Sequence, residues 1–280
     1  MMFKVVSNDA LNPTVFKMVV YAPAVAKKAL AGQFVMLRTD ENGERIPLTV
    51  ADYDRENGTV TVIYQAVGAT TITLSHKKVG EYIADFAGPL GNHTEIEGIK
   101  KVCVIGGGVG SAIAYPVAKA FSENGAEVHT IVGFRSADLV ILEDDFRAIS
   151  DKFILMTDDG SAGEKGLVTD ALRKLLEAGE YDEVVCIGPL VMMKFVCMVT
   201  KEFGVKTIVS MNPIMIDGTG MCGGCRLSVG GKTVFACVDG PEFDGHLVDF
   251  DSAIARSRMY GEFERHAREE TCNLFSKEAE

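Results

Sequence analysis

The hydrophobic rhythm of this chain changes near Lys100, and that change limits the fold more tightly than any single motif. Up to about residue 97, short runs alternate apolar and polar side chains: Val15 to Tyr21, Gln33 to Arg38, Thr59 to Gln65 and Gly80 to Phe86. Asn42-Gly43, Asn57-Gly58 and Pro89 punctuate them. A period of two sends successive side chains to opposite faces of a strand, so this part predicts a small β-barrel or sandwich. One short helix, Thr70 to His76, is expected within it.

From Lys101 to Ile105 the chain is almost wholly apolar, and Gly106-Gly107-Gly108-Val109-Gly110 then leads into a helical pattern from Ser111 to Asn124. Strands are expected at Val128 to Gly133, Phe153 to Thr157, Glu183 to Ile187 and Val205 to Met211. Helices are expected around Leu142 to Ala148, at Thr169 to Glu177 and at Leu190 to Phe203. Strands that alternate with helices in this way build a parallel, doubly wound sheet. Ser252 to Glu270, rich in Arg and Glu, predicts a solvent-facing terminal helix. A length of 280 residues suits about two domains.

Between the last expected strand and that helix lies D-G-T-G-M-C-G-G-C-R-L-S-V-G-G-K-T-V-F-A-C. Asp217, Cys222, Cys225 and Cys237 are metal-ligand types, separated by four, two and eleven residues. Thiolates at loop spacing suit zinc or an iron–sulfur cluster, and C-x4-C-x2-C…C is the plant-type ferredoxin spacing, here with Asp217 in the first position. Zinc sites usually pair two C-x2-C units or add histidines. Only one such unit is present, and the nearest histidine, His246, lies beyond the group.

The formal charge of −11 and the lack of Lys/Arg runs exclude the basic stripes that nucleic acid requires. Seven cysteines and an N-terminus without a long apolar core predict a reducing, cytoplasmic setting. The longest apolar run, Val184 to Thr200, is broken by Gly188, Pro189 and Lys194 and is too short to cross a bilayer.

The glycine turn at 106–110 places backbone donors at a helix N-terminus, where a pyrophosphate binds, although its spacing departs from G-x-G-x-x-G. Gly188-Pro189 after the strand at 183–187, and Thr157-Asp158-Asp159-Gly160-Ser161, extend the same polar rim. A crevice outside the carboxyl ends of the strands is where open α/β sheets bind ligands. In the first part, Pro47-Leu48-Thr49 and Gly68-Ala69-Thr70-Thr71 each set a hydroxyl beside a special backbone residue; the second opens a helix. Cys103, Cys186 and Cys197 lie in apolar segments and are expected to be inert core, whereas no role is assigned to Cys272.

Taken in order, I-P-L-T at 46–49, V-G-A-T-T at 67–71, G-P-L-G-N at 88–92, G-G-G-V-G at 106–110, T-D-D-G-S at 157–161, C-I-G-P-L-V-M-M at 186–193 and the Asp/Cys tail resemble the ferredoxin-reductase superfamily. Within it the chain is similar to the electron-transfer subunits of dihydroorotate dehydrogenase B. It is also similar to the small subunits of the sulfide dehydrogenase and NADH-dependent reduced ferredoxin:NADP+ oxidoreductase type. The resemblance covers about residues 3 to 250. It implies an FAD-binding β-barrel over 1–97, an NAD(P)-binding α/β domain over 98–215 and a [2Fe–2S]-binding loop over 216–250, followed by a helical segment over 251–280. Pro47, Leu48 and Thr49 would face the flavin, and Gly68, Thr70 and Thr71 would hold the FAD pyrophosphate. Gly108, Val109 and Gly110 would receive the nicotinamide dinucleotide, with Gly188 and Pro189 shaping its pocket. Asp217, Cys222, Cys225 and Cys237 would ligate the cluster. Ile46 departs from the arginine often found before Pro47, which leaves open whether Arg45 meets the FAD phosphate.

The resemblance thus implies an NAD(P)H-dependent flavoprotein iron–sulfur oxidoreductase that works as a subunit. It would pass electrons from NAD(H) through FAD and a [2Fe–2S] cluster to a larger flavin/iron–sulfur partner in a heterodimer. Ferredoxin would be reached through that partner, in a bifurcating complex. The alternatives are a dihydroorotate dehydrogenase electron-transfer subunit and a non-catalytic module that binds nucleotide and metal. No catalytic side chain is singled out. For the nucleotide, Arg135 would favour a 2′-phosphate, whereas Asp138 and Asp159 would favour a bare ribose.

Overall fold

The structure, a computed structural model, describes residues 2–278. The first part is a curled antiparallel sheet of seven strands: β1 (Phe3–Ala10), β2 (Val15–Tyr21), β3 (Phe34–Arg38), β4 (Arg45–Asp54), β5 (Thr59–Gln65), β6 (Tyr82–Ile83) and β7 (Asp85–Leu90). Their spatial order is β6-β1-β2-β5-β4-β3-β7. Both edge strands come from one stretch of chain, parted only by Ala84, whose N–H donates to Arg38 O at 3.1 Å. The sheet therefore curls until its two edges meet. The single strand expected over 80–86 is in fact two, because Phe3 and Lys4 pair with Ile83 and Tyr82 while Arg38 pairs with Asp85. Val5, Met18, Val20, Val35, Leu37, Val60 and Val62 fill the interior, as the period-two pattern requires. Two short helices, α1 (Pro23–Ala26) and α2 (Ala69–Ser75), complete this part.

The second sheet takes β8 (Lys101–Gly107), β9 (Glu127–Phe134), β10 (Lys152–Thr157), β11 (Glu164–Lys165), β12 (Glu183–Ile187) and β13 (Thr207–Ser210). Helices α3 (Gly110–Glu123) and α4 (Glu143–Ile149) pack on one face, and α5 (Val168–Ala178) and α6 (Leu190–Phe203) on the other. Covered on both faces, β8 buries Val102 to Ile105 without a break, the mark of a parallel core strand. Helix α5 buries Val168, Ala171, Leu172, Leu175 and Leu176, a stripe at helical spacing whose larger members each contribute roughly 1.5–3 kcal/mol. The order β11-β10-β9-β8-β12-β13 reverses direction between β8 and β12, so a crevice opens at their carboxyl ends. Helix α3 also seats the curled sheet: Val15, Ala51 and Ile63 join its core, and Lys119 Nζ lies 3.3 Å from Asp52 Oδ1.

The loop expected after the last parallel strand holds a hairpin, β14 (Arg226–Val229) and β15 (Lys232–Phe235), turned by Gly230-Gly231 with both φ positive. The chain then returns as β16 (Glu242–Asp244), which pairs antiparallel with β13, Ser210 facing Glu242. The terminal helix expected over 252–270 is broken into α7 (Phe250–Ser257) and α8 (Gly261–Glu278). Helix α7 buries Phe250 and Ala253 beside α6 and β14, whereas α8 crosses to α2, where the His76 and Phe275 rings stack at 3.9 Å. One straight rod could not reach both surfaces.

Candidate functional site

A cavity of about 1060 Å3 lies where the curled sheet meets the switch point of the parallel one. Pro47, Leu48 and Thr49 on β4 form one wall, with Phe34 on β3 and Tyr64 and Gln65 on β5 beside them. Gly108, Val109 and Gly110 at the start of α3 and Gly188 and Pro189 before α6 form the opposite wall. Asn212 and Met215, from the segment leading into the cysteine loop, close a third side. Residues chosen from distant parts of the sequence thus share one space.

The glycines explain how the two loops approach. A Cβ on Gly110 would lie 2.6 Å from Ile187 O and 2.7 Å from Gly188 Cα, so the α3 and α6 turns touch through backbone. Gly107 is approached instead by side chains, those of Met192 and Pro189. Gly108 (φ +55°) lines the cavity and Gly68 does not, and neither has anything within 4 Å of an added Cβ. At α2, Thr71 Oγ1 accepts from the N–H groups of Val67 and Gly68 at 3.1 Å each and donates to Gly68 O. Thr71 lines the cavity, whereas Thr70 is buried and directs its hydroxyl to Glu44 at 3.4 Å.

Arg45 turns aside: its Nη2 lies 3.3 Å from Asp85 Oδ2, which also takes Arg38 at 2.7 Å. Asp159 does not face the cavity. Its Oδ1 accepts from Ser161 N and Oγ, and Ser161 Oγ accepts from Ala137 N, which stitches the loop after β10 to the loop after β9. Asp138 takes Ser136 Oγ in the same knot. Arg135 and Asp158 are the charged residues that this edge presents to the cavity. Cys103, Cys186 and Cys197 are buried, and burial pushes the Cys103 and Cys197 thiols up to about 12 and Cys186 well above its ordinary value. Burial thus favours the protonated thiol at all three positions.

In the cysteine loop, Cys225 and Cys237 are buried with their sulfurs 3.3 Å apart, beyond the roughly 2.05 Å of a disulfide. Cys222 is exposed, and its sulfur accepts from Gly224 N at 3.4 Å. Positive φ at Gly218, Gly220 and Gly223 supplies the tight turns between them. Asp217 Oδ1 accepts from Thr219 N at 2.8 Å and Oδ2 from Cys222 N at 2.9 Å, and these amides hold its carboxyl below the usual range. Among the described residues no three His, Cys, Asp or Glu side chains gather as a metal site. The structure therefore brings two of the four expected ligands together and fixes a third to the loop backbone.

The sequence profile of the iron–sulfur cluster binding domain of dihydroorotate dehydrogenase B matches residues 212–249. A dihydroorotate dehydrogenase B (NAD(+)) electron transfer subunit homolog from Thermotoga maritima is 49% identical over 262 residues, 94% of this chain and 93% of that protein. The dihydroorotate dehydrogenase B electron transfer subunit of Bacillus velezensis is 35% identical over 252 residues, 86% of this chain and 96% of that one. A chain in the structure of the NADH-dependent reduced ferredoxin-NADP oxidoreductase superposes with a TM-score of 0.91 at 47% identity, covering 96% of this chain and 98% of that one. At 20% identity and a TM-score of 0.61, the Amycolatopsis cytochrome P450 reductase GcoB shares the fold over 72% of this chain and 65% of its own.

Proposed function

The chain belongs to the family of dihydroorotate dehydrogenase B electron-transfer subunits, and from that footing we propose that it carries electrons between NAD(H) and a larger partner subunit through FAD and a [2Fe–2S] cluster. The observation that carries this reading is the single cavity walled by the curled sheet, both glycine turns and the approach to the cysteine loop. When bound, flavin accepts the electron pair of a nicotinamide and releases electrons singly to an iron–sulfur centre.

The residues present fit these groups. Gly68 and Gly108 leave space where a side chain would stand, and two buried sulfurs face each other unbridged in the cysteine loop. In this reading Pro47, Leu48 and Thr49 hold the flavin ring, and Gly68 with the N-terminus of α2 cradles its pyrophosphate. Thr71 supports that cradle by fixing its backbone, and Thr70 acts behind it. Gly108, Val109 and Gly110 bind the dinucleotide at the N-terminus of α3. Gly188 and Pro189 seat the nicotinamide. Arg45 is left to Asp85. For the nucleotide we favour NAD(H): Asp158 lines the cavity along with Arg135, and its charge opposes a 2′-phosphate.

Cys222, Cys225 and Cys237 are the proposed thiolate ligands and Asp217 the fourth. The exposed Cys222 sets one side of the centre at the surface, where a partner could receive electrons. The similarity along nearly the whole length of the reduced ferredoxin-NADP oxidoreductase chain favours a bifurcating complex with a larger flavin/iron–sulfur subunit. Among the described residues no helix is long and apolar enough to cross a membrane. Three ligating thiols suit a reducing cytoplasm.

The test is direct. Protein purified without oxygen should be coloured by flavin and iron, bleach with NADH faster than with NADPH, and reduce artificial dyes. A colourless protein that binds zinc and nucleotide alone would support the non-catalytic alternative.

A further inference from the structure

The Gly223-Gly224 turn between Cys222 and Cys225 has no side chain to hold it, and Gly223 stands at φ +66°. Adjacent glycines give up the most backbone freedom on folding, so such a turn keeps its shape only if its polar groups are tied. Two arginines tie it. Arg226, which opens β14, donates from Nη1 to Gly223 O at 3.1 Å. Arg256, in the last turn of α7, donates from Nη2 to Gly224 O at 3.3 Å, across 32 positions of sequence. Within the turn Gly224 N donates to Cys222 Sγ at 3.4 Å. Helix α7 is itself fixed. Asp249 caps it through Ser252 N at 3.0 Å, Asp249 N donates to Ser228 O on β14 at 2.9 Å, and Lys194 Nζ on α6 meets Asp251 Oδ1 at 2.6 Å. A second cavity, of about 240 Å3, is lined here by Cys222, Gly224, Arg226 and Arg256, and Met211 and Asn212 line both it and the larger one.

We propose that Arg226 and Arg256 are positioning residues that brace the turn between two thiolate ligands, and that their positive charge favours the reduced state of the centre held there. The charge matters only under the iron–sulfur reading given above, on which this inference rests. The brace itself is a property of the chain.

Their partners set these two side chains apart. The chain carries 39 acidic residues against 28 Lys and Arg, and Arg38, Arg45, Arg147 and Arg173 each meet a carboxylate. Among the described residues Arg226 and Arg256 form no ion pair, and they bond carbonyls instead. No contacting carboxylate cancels their charge, so it acts on the ligand loop. Reduction makes an iron–sulfur centre one unit more negative, and its potential follows the local net charge and hydrogen bonding. Arg226 is exposed and Arg256 half-buried. Water therefore screens each charge to an effect of about threefold to tenfold on the reduction equilibrium.

Hydrogen exchange in the iron-free, full-length protein reads the brace. Arg256→Gln and Arg226→Gln replace the guanidinium with a shorter, neutral amide, and the amides of Gly224 and Arg226 should open about three- to tenfold more readily in each. Exchange identical to wild type in both variants would overturn the brace. Anaerobic redox titration of the iron-loaded protein, followed by electron paramagnetic resonance, reads the charge. Each Gln variant should be reduced about three- to tenfold less favourably, a midpoint roughly 30–60 mV more negative for one electron. Arg256→Lys, which keeps the charge and loses the planar fork, should return the midpoint most of the way to wild type while its turn amides open as in R256Q. A midpoint unmoved in R226Q and R256Q would overturn the role of the charge. Should R256Q fail to fold, R226Q on the exposed side decides both measurements. Iron content on the same samples separates this inference from the reading beneath it. Turn amides that respond in protein unable to take up iron would leave the brace standing and refute the electron-transfer reading. Full iron content with unresponsive amides and an unmoved midpoint would do the opposite.

Discussion

Replacing Gly110 with alanine places one methyl group where the two glycine turns touch. The new Cβ would meet Ile187 O at 2.6 Å, Gly188 Cα at 2.7 Å and Gly188 N at 3.0 Å, all of them backbone atoms that cannot rotate away. Relief requires the α3 and α6 turns to part by about half an ångström in an interior packed as densely as a crystal. Overpacking of this kind costs about 1–3 kcal/mol. At this chain length each kcal/mol lowers Tm by roughly 2–4 °C, so a loss of about 2–12 °C is expected in thermal melts. The displacement falls on Gly188, which shapes the proposed nicotinamide pocket. NADH affinity, followed by flavin bleaching under anaerobic titration, should therefore fall further than FAD affinity. Gly179→Ala is the control: its φ of 179° suits any residue, nothing lies within 4 Å of the new Cβ, and its Tm should stay within about 2 °C of wild type. If G110A melted like G179A and bound NADH normally, the close approach of the two turns would play no part in the site.

Asn8 on β1 donates to the carbonyls of Leu74, Ser75 and Lys77 at the end of α2 and accepts from Tyr64 Oη in the cavity wall at 3.0 Å. Asn8→Ala should weaken FAD retention in equilibrium dialysis and cost about 1–3 kcal/mol of stability, while Tyr64→Phe should show the smaller part of the same effect. On β9, desolvation and then Lys101 depress the pKa of His129, which contacts Tyr181 Oη and Glu127. The unfolded chain therefore binds that proton more readily, so stability should decline as pH falls below about 6.5. His129→Gln should flatten that limb in urea titrations, and an unchanged slope would assign it to other groups. Cys225→Ser should lose most of the bound iron. Asp217→Ala should keep the loop less ordered and change the cluster's visible spectrum; an unchanged spectrum would reduce Asp217 to a cap for the Thr219 and Cys222 amides.

The two sheets were legible because their interiors impose different periods, alternating in β2 and β5 but continuous in β8. What escaped depended on distant contacts. The turn that divides β6 from β7 follows from Ala84 meeting Arg38, nearly fifty positions away in sequence, and nothing local marks it. The break between α7 and α8 exists because α2 lies where α8 can reach it. The hairpin at 226–235 did leave a signal, Gly230-Gly231 between alternating residues, but the cysteines around it drew the reading toward ligands. In the site, hydroxyl motifs were found without their directions. Thr70 and Asp159 look the same in sequence as neighbours that line the cavity, and only side-chain orientation separates them from Thr71 and Asp158. Phe34 and Tyr64 carry no motif at all; a sheet that curls brings them to the wall.

The pairing of Ser210 with Glu242 gives the cysteine unit its own boundary. Everything from Met211 to Pro241 leaves and re-enters the sheet at adjacent strands, so the unit behaves as a cartridge whose two leads plug into neighbouring sockets. A two-residue turn joining those leads would keep the strand ladder unbroken while deleting the thiols. Conversely, any parallel sheet with a free edge beside its last strand offers a place to install the cartridge. The exchange would not be free of consequence for the crevice, because Asn212, Met215 and Pro241 travel with the cartridge and take one side of the cavity wall with them.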